Sequence, residues 1–236
     1  MDRRDTMKPL KGLRLGVLMS YINHTIDETS GEVSSLFEKA ITKLDSSGVQ
    51  IVPVEEPGFH PLNLATAEVS LYEYHQSLHT YLSQPSHSTC PSLHEILSSP
   101  LIDPIAVGPT WKLAFNLSTS DPAYPVRLAR IAHLKLLFAR LFAENSLDAL
   151  IYPHQTVLVA KVGATYQPGR NGLLTSLTGA PGVVVPMGMS PSGESAQDGV
   201  PAGMEIVGLW GRDWKVLGIG FEVERLLRGR RGPKLE

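Results

Sequence analysis

A single cysteine, Cys90, stands in a chain of 236 residues, so no disulfide can form within it, and the usage suits a reducing compartment. The opening MDRRDTMKPLKG has no apolar core and does not read as a signal peptide, and no window approaches the roughly 20 apolar residues of a membrane span. The expected location is therefore cytoplasmic, with no membrane partner. The glycosylation consensus at Asn23 to Thr25 and at Asn116 to Ser118 is read as chance, because glycosylation needs secretory entry. Formal net charge is only -2, which leaves no global field to attract nucleic acid or an anionic surface. One cluster of positive charge, RLLRGRRGPK from Arg225 to Lys234, follows a predicted helix and complements its dipole.

What is present is apolar material sufficient for a sizeable core, 42% of the residues, punctuated by turns. Short apolar runs at Leu13 to Leu18 and Gln50 to Val54 flank an amphipathic stretch from Gly31 to Leu44. There Val33, Phe37, Ile41 and Leu44 recur at helical spacing, and parallel pairing is the default for such a strand, helix, strand unit. A long helix is expected between Leu62 and Leu82 and a short one over Ser92 to Ser98. Irregular structure is expected where prolines recur between Pro100 and Pro125. The clearest helix follows, capped by Ser120 or Asp121, with Leu128, Ile131, Ala132, Leu134, Phe138, Leu141 and Phe142 as its stripe. Three more apolar runs, Ala149 to Tyr152, Gly182 to Val185 and Met204 to Leu209, read as strands. A last helix from Asp213 to about Leu227 carries Trp214, Leu217 and Phe221 on one face. The fold class is α/β, a mixed β-sheet flanked by helices, with all five strands in one sheet.

Motifs for familiar chemistry fail one by one. His75 and His79 share a helix face, but position 76 is Gln rather than the glutamate of a zinc hydrolase helix, and no third ligand is apparent; no metal is expected. No G-x-G-x-x-G or phosphate-loop pattern calls for a cofactor. The pairs Ser34-Ser35, Ser46-Ser47 and Ser98-Ser99 lack bracketing glycines, and capping explains them. GMSPSG has the wrong spacing for a nucleophile elbow. Cys90, with His87 and His94 nearby, leaves open an unrelated thiol hydrolase. For binding, the stretch from Gln167 to Thr178 is more promising: Asn171 can cap a helix starting at Gly172, leaving Arg170 on the approach loop to meet a carboxylate or carbonyl. Tyr152, Pro153 and Gln155, at a strand's end, form a second wall, since α/β sites favour such ends.

Three blocks carry a family likeness: LDALIYP from Leu147, GRNGLLTSLTGAPGVVVPMG from Gly169 and VPAGMEIVGLWGRDWKVLGIGFEVE from Val200. Weaker matches are LKGLRLGVL from Leu10 and LYEYHQSLHTYL from Leu71. Together they resemble the C-terminal half of an amidase-signature enzyme of the fungal type. The resemblance implies hydrolysis of a carboxamide to an acid plus ammonia or amine, without metal or cofactor. In that family the work is done by a serine nucleophile, a second serine in a cis peptide, a lysine base and an oxyanion hole of backbone amides in a glycine-rich loop. All of these lie upstream of the part matched, and no counterpart is found here. The resemblance therefore implies that residues 1 to 236 form one partial amidase-signature domain, truncated and inactive alone. It also implies that Tyr152, Gln155, Arg170, Asn171 and Thr178 line a pocket for an amide substrate once an N-terminal half is supplied. His154 departs from the small hydroxyl residue often found there. The alternative is a non-catalytic binding or assembly module, partnered by another polypeptide or by its own copies.

Overall fold

The computed structural model describes residues 10–22, 26–84, 92–103, 113–164, 166–192 and 198–232. Cys90 and His87 lie outside them. The five apolar runs do join in one sheet, of order β2-β1-β3-β5-β4. Strand β1 (Arg14–Leu18) pairs in parallel with β2 (Gln50–Val54) and with β3 (Ala149–Pro153). β3 then pairs antiparallel with β5 (Pro201–Val207), and β5 antiparallel with β4 (Gly182–Met189), so the sheet is mixed. The last two strands differ from their sequence-based limits. The run read as Gly182 to Val185 does not end there: Pro186 keeps register opposite Gly203, and a bulge between Pro186 and Gly188 carries the strand on to Met189.

Alternation sends side chains of each strand to opposite faces, and helices cover both. Leu15, Val17, Ala149, Ile151, Met204 and Ile206 face helix α1 (Ser30–Ser46), which supplies Val33, Phe37, Ala40 and Leu44. The other face gathers Leu150, Tyr152 and Val207 under a helix beginning at Ala123. Between them along the chain come α2 (Pro61–Ala65), α3 (Ser70–Leu82) and α4 (Leu93–Ser98), the last opened by a capping box in which Ser92 and Glu95 satisfy each other's backbone N–H. The single helix expected over Leu62 to Leu82 is thus broken after Ala65. The carbonyls released at the break are taken by guanidinium donors: Arg127 bonds to Ala65 O and Glu68 O, and Arg130 to Thr66 O.

Those arginines belong to α5 (Ala123–Asn145), whose Asp121 Oδ1 accepts from Ala123 N at 2.8 Å and whose buried residues are Leu134, Phe138, Leu141 and Phe142. Leu128, expected in the stripe, is 41% exposed. Asp148, just before β3, is a junction: its carboxylate accepts from Arg14 N at 2.8 Å and from Lys215 Nζ at 2.6 Å. After β3 come the short α6 (Leu173–Thr178), ended by left-handed Gly179, and α7 (Asp213–Leu227). α7 packs on the α1 side, and the sequence picked out the wrong face of it. Val216, Ile219, Gly220, Val223 and Leu227 are buried, whereas Trp214, Leu217 and Phe221 are 66%, 62% and 56% exposed.

Candidate functional site

β1 and β3 are parallel neighbours, and both point their carboxyl ends at one corner of the sheet. A 3-10 turn, Met19–Tyr21, brings Tyr21 off the end of β1, and its ring meets Tyr152 of β3 edge-on with centroids 4.7 Å apart. Both rings are buried. The hydroxyls of Tyr21 and Tyr152, and Ser20 Oγ, have no hydrogen-bond partner among the described residues.

Directly opposite Tyr152 in the β3–β5 register stands Glu205, only 4% exposed although it is charged. One carboxylate oxygen lies 2.8 Å from His154 Nδ1, and the other accepts from Thr175 Oγ1 at 3.0 Å. Two glycines make room for it: a Cβ on Gly182 would stand 3.3 Å from Glu205 Oε1, and one on Gly172 would stand 3.3 Å from His154 Cε1. The carboxylate stands close to both phenols and acts on them electrostatically. Burial first, and then Glu205, holds the Tyr152 and Tyr21 hydroxyls well above the ordinary phenol range. The result is a buried acceptor beside two phenols that stay protonated. The His154 side chain, 41% exposed, opens the group to solvent.

The sequence-derived site residues divide. Tyr152 is at the centre of this corner. Gln155 and Arg170 form an isolated antiparallel bridge, and Thr156 N to Gly169 O at 2.8 Å and Asn171 N to His154 O at 3.1 Å lace the two segments together. Arg170 points outward and is exposed. Asn171 does not cap α6, whose cap position is Gly172. Its buried amide instead donates to Pro153 O at 2.8 Å and approaches Thr156 Oγ1 at 3.2 Å, because residues 154–156 run beside it and leave strand carbonyls to satisfy. Thr178 lies at the far end of α6, fully buried. Its hydroxyl donates back to Leu174 O at 2.6 Å, and its carbonyl accepts from Trp210 Nε1 at 2.9 Å. Sequence reasoning missed Glu205, Thr175 and Tyr21. Glu205 had a signal, as the one charged residue in the apolar run from Met204 to Leu209.

The paired phenols give an alkaline signature whose sign follows from linkage. Their folded pKa lies above the unfolded value of about 10, so their contribution is fully present below pH 10 and is lost as pH rises beyond it. Each phenol removes up to about 1.4 kcal/mol per pH unit in that window. Urea unfolding between pH 9 and 11 is expected to show the decline, and the Tyr21→Phe, Tyr152→Phe double variant is expected to flatten it. A decline of equal slope in that variant would assign it to other groups.

A mixed sheet under helices on both faces, with a polar corner at the carboxyl ends of its parallel strands, defines a three-layer α/β protein. Comparison with known proteins narrows this. The sequence model of the Amidase family matches residues 2–217, and the chain belongs to that family. It is 32% identical to mandelamide hydrolase of Pseudomonas putida over 94% of this chain and 45% of that one, and 26% identical to indoleacetamide hydrolase of Agrobacterium vitis over 95% and 49%. Its structure is similar to native peptide amidase from Stenotrophomonas maltophilia, with TM-score 0.70, 26% identity and coverage of 95% of this chain and 45% of that one. The chain spans about half the length of the curated relatives it matches.

Proposed function

We propose that this chain forms the C-terminal, pocket-side half of an amidase that hydrolyses a small primary carboxamide to its acid and ammonia. The carrying observation is the polar corner of Tyr21, Tyr152, Glu205 and His154, held at the carboxyl ends of parallel strands in a chain of this family. Its chemistry suits an amide. The tyrosines are buried and serve to pack the corner, while the exposed His154 imidazole, backed by the Glu205 carboxylate, can hold or release a proton as nitrogen leaves. In the net reaction water adds its oxygen to the carbonyl carbon, the C–N bond breaks, and nitrogen departs with the proton.

Among the described residues, serine hydroxyls that have partners bond to backbone groups or to the Asp27 carboxylate, as Ser190 does to Pro191 O and Val200 N. This supports placing the nucleophile and its base on the complementary polypeptide, with the substrate wall, including Gln155 and Arg170 on the segment that buried Asn171 braces, on this one. Mandelamide and indoleacetamide, in the names of two relatives, are primary amides carrying an aryl group one carbon away. An amide of that shape is the proposed substrate class.

The test is ammonia release from mandelamide and indoleacetamide. The purified chain should stay at background, because loss of even one oxyanion donor costs on the order of 100 to 1,000-fold in rate. A fusion in which this chain replaces the matched portion of the mandelamide hydrolase should exceed it at least 100-fold. Turnover by the chain alone would sink the half-enzyme reading, and a folded fusion silent on both amides would sink amide hydrolysis.

A further inference from the structure

We infer that the groove between α1 and the strap of residues 228–231 that follows α7 binds a small organic phosphate. Lys39, Lys43, Arg228 and Arg231 hold the phosphate group, and the apolar part of the ligand lies over Leu36, Met187 and Met189. This groove is on the α1 face of the sheet, whereas Tyr21 and Tyr152 are on the other, so the inference stands apart from the amide chemistry proposed above.

Three elements build the groove. On α1, Lys39 and Lys43 are four residues apart and share an exposed flank. β4 supplies the floor, where the bulge between Pro186 and Gly188 comes so near α1 that a Cβ on Gly188 would stand 3.0 Å from Leu36 Cδ2. The strap closes the far side. Its Gly229 rests on the same bulge, with room for no Cβ, which would stand 2.7 Å from both Gly188 N and Met187 C. Lys43 Nζ donates to Leu227 O at 3.4 Å and so ties α1 to the end of α7 beside the strap. The hollow they enclose is about 470 Å³, a size usual for small-molecule sites.

Its charge is one-sided, although the whole chain carries a net charge of only -2. Four cations line the groove and no carboxylate does, and among the described residues none of the four forms an ion pair. The nearest acids belong to adjoining hollows: Glu32 and Asp198 on one side, and on the other Glu222, already held by Arg225 at 2.6 Å. Helix dipoles account for Lys43 and Arg228, each at a carboxyl end. They do not account for Lys39, about two turns before the end of α1, or for Arg231, beyond the end of α7. Arg228 also occupies a left-handed position, φ 51°, that glycine would fill without strain. A monoanionic carboxylate is a poor match for four cations. A phosphate monoester carries about two negative charges and three acceptor oxygens, which guanidinium forks and ammonium groups can share. The apolar floor selects an ester with an apolar or aryl group over free phosphate.

The test is calorimetric titration of the purified chain at low ionic strength with 1-naphthyl phosphate, inorganic phosphate and 1-naphthoate; turnover plays no part in it. One 1-naphthyl phosphate should bind per chain, at least about tenfold more tightly than either of the others. Lys39→Ala and Arg231→Ala should each weaken it about tenfold or more, as loss of a hydrogen bond to a charged group does. Lys135→Ala, which removes an exposed charge from α5, should change it less than about twofold. Arg228→Gly separates ligand from fold: it should weaken binding as much as the others, yet unfold at no lower temperature because it relieves the left-handed strain. Absence of saturable binding by both phosphates would overturn the proposal. So would equal weakening by Lys135→Ala, which marks diffuse attraction, or equal affinity for 1-naphthoate, which makes an aryl carboxylate the ligand.

Discussion

Phe138→Ala is expected to destabilise the protein by about 3–5 kcal/mol, the largest loss from any single substitution considered. Its side chain is fully buried on the α5 face of the sheet, with ring centroids 6.2 Å from Phe59, 4.8 Å from Phe142 and 5.3 Å from Trp210. Neighbours fixed on three different parts of the chain, Phe142 one turn along α5, Phe59 and Trp210 beyond it, cannot all collapse into the space a benzyl group leaves, so a cavity term adds to the lost transfer energy. Since domains are stable by only about 5–15 kcal/mol, a substantial share of the total is at stake. Denaturant unfolding followed by tryptophan fluorescence is well placed to see it, because Trp210 lines the cavity. Leu136→Ala, two residues along on the exposed side of the same helix, should stay within about 0.5 kcal/mol. A loss below 1 kcal/mol for Phe138→Ala would show that α5 does not pack as described.

Glu205→Ala is expected to cost about 1.5–3 kcal/mol at neutral pH, and Glu205→Gln less than half of that. The alanine variant removes the acceptor for Thr175 Oγ1 and the partner of His154 Nδ1. It also leaves a gap between Tyr152 and Val184, the residues opposite Glu205 on the two adjoining strands. Part of the loss is recovered, since Thr175 Oγ1 also lies 3.1 Å from Gly172 O and half-exposed His154 can return to water, which keeps the figure below that of Phe138. Glutamine preserves shape and one acceptor. Both substitutions also lift the carboxylate's field from Tyr21 and Tyr152. The alkaline loss should then start at the same pH, set by the unfolded phenols, but end earlier, because the folded values fall back toward that set by burial alone. An unchanged alkaline limb with unchanged neutral stability would remove Glu205 from the cluster.

The strands and helix α1 were legible because period-2 and period-3.6 patterns record burial directly, and each run was bounded by turn residues. Legibility failed where one pattern served two surfaces. α7 is apolar on two flanks, Val216 with Ile219 and Val223, and Trp214 with Leu217 and Phe221, and periodicity alone does not say which meets the sheet. The break between α2 and α3 depends on guanidinium groups some 60 residues later, which no local pattern contains. In the site, Tyr152, Gln155, Arg170 and Asn171 were found near one another because strand-end position and family likeness agree. Asn171 as a cap was wrong, since its side chain turns to the neighbouring segment, where Nδ2 donates to Pro153 O and Oδ1 accepts from Thr156 Oγ1 in place of a helix N–H. Glu205 was visible only as a discordant charge, and its meaning needed the β3–β5 register.

The order β2-β1-β3-β5-β4 also sets a schedule for folding. β4 and β5 are joined by a short connection and can pair as soon as both exist, but β3 meets β1 across more than 130 residues, with Leu15 opposite Ala149 and Asp148 gripping Arg14. During synthesis β1, α1 and β2 leave the ribosome long before the strand that completes their sheet, with Leu15 and Val17 already committed to a half-built interior. Closure of the β1–β3 seam is therefore expected to be the slow step of folding, with the tyrosine pair at its end, one ring from each side, forming only when that seam has shut.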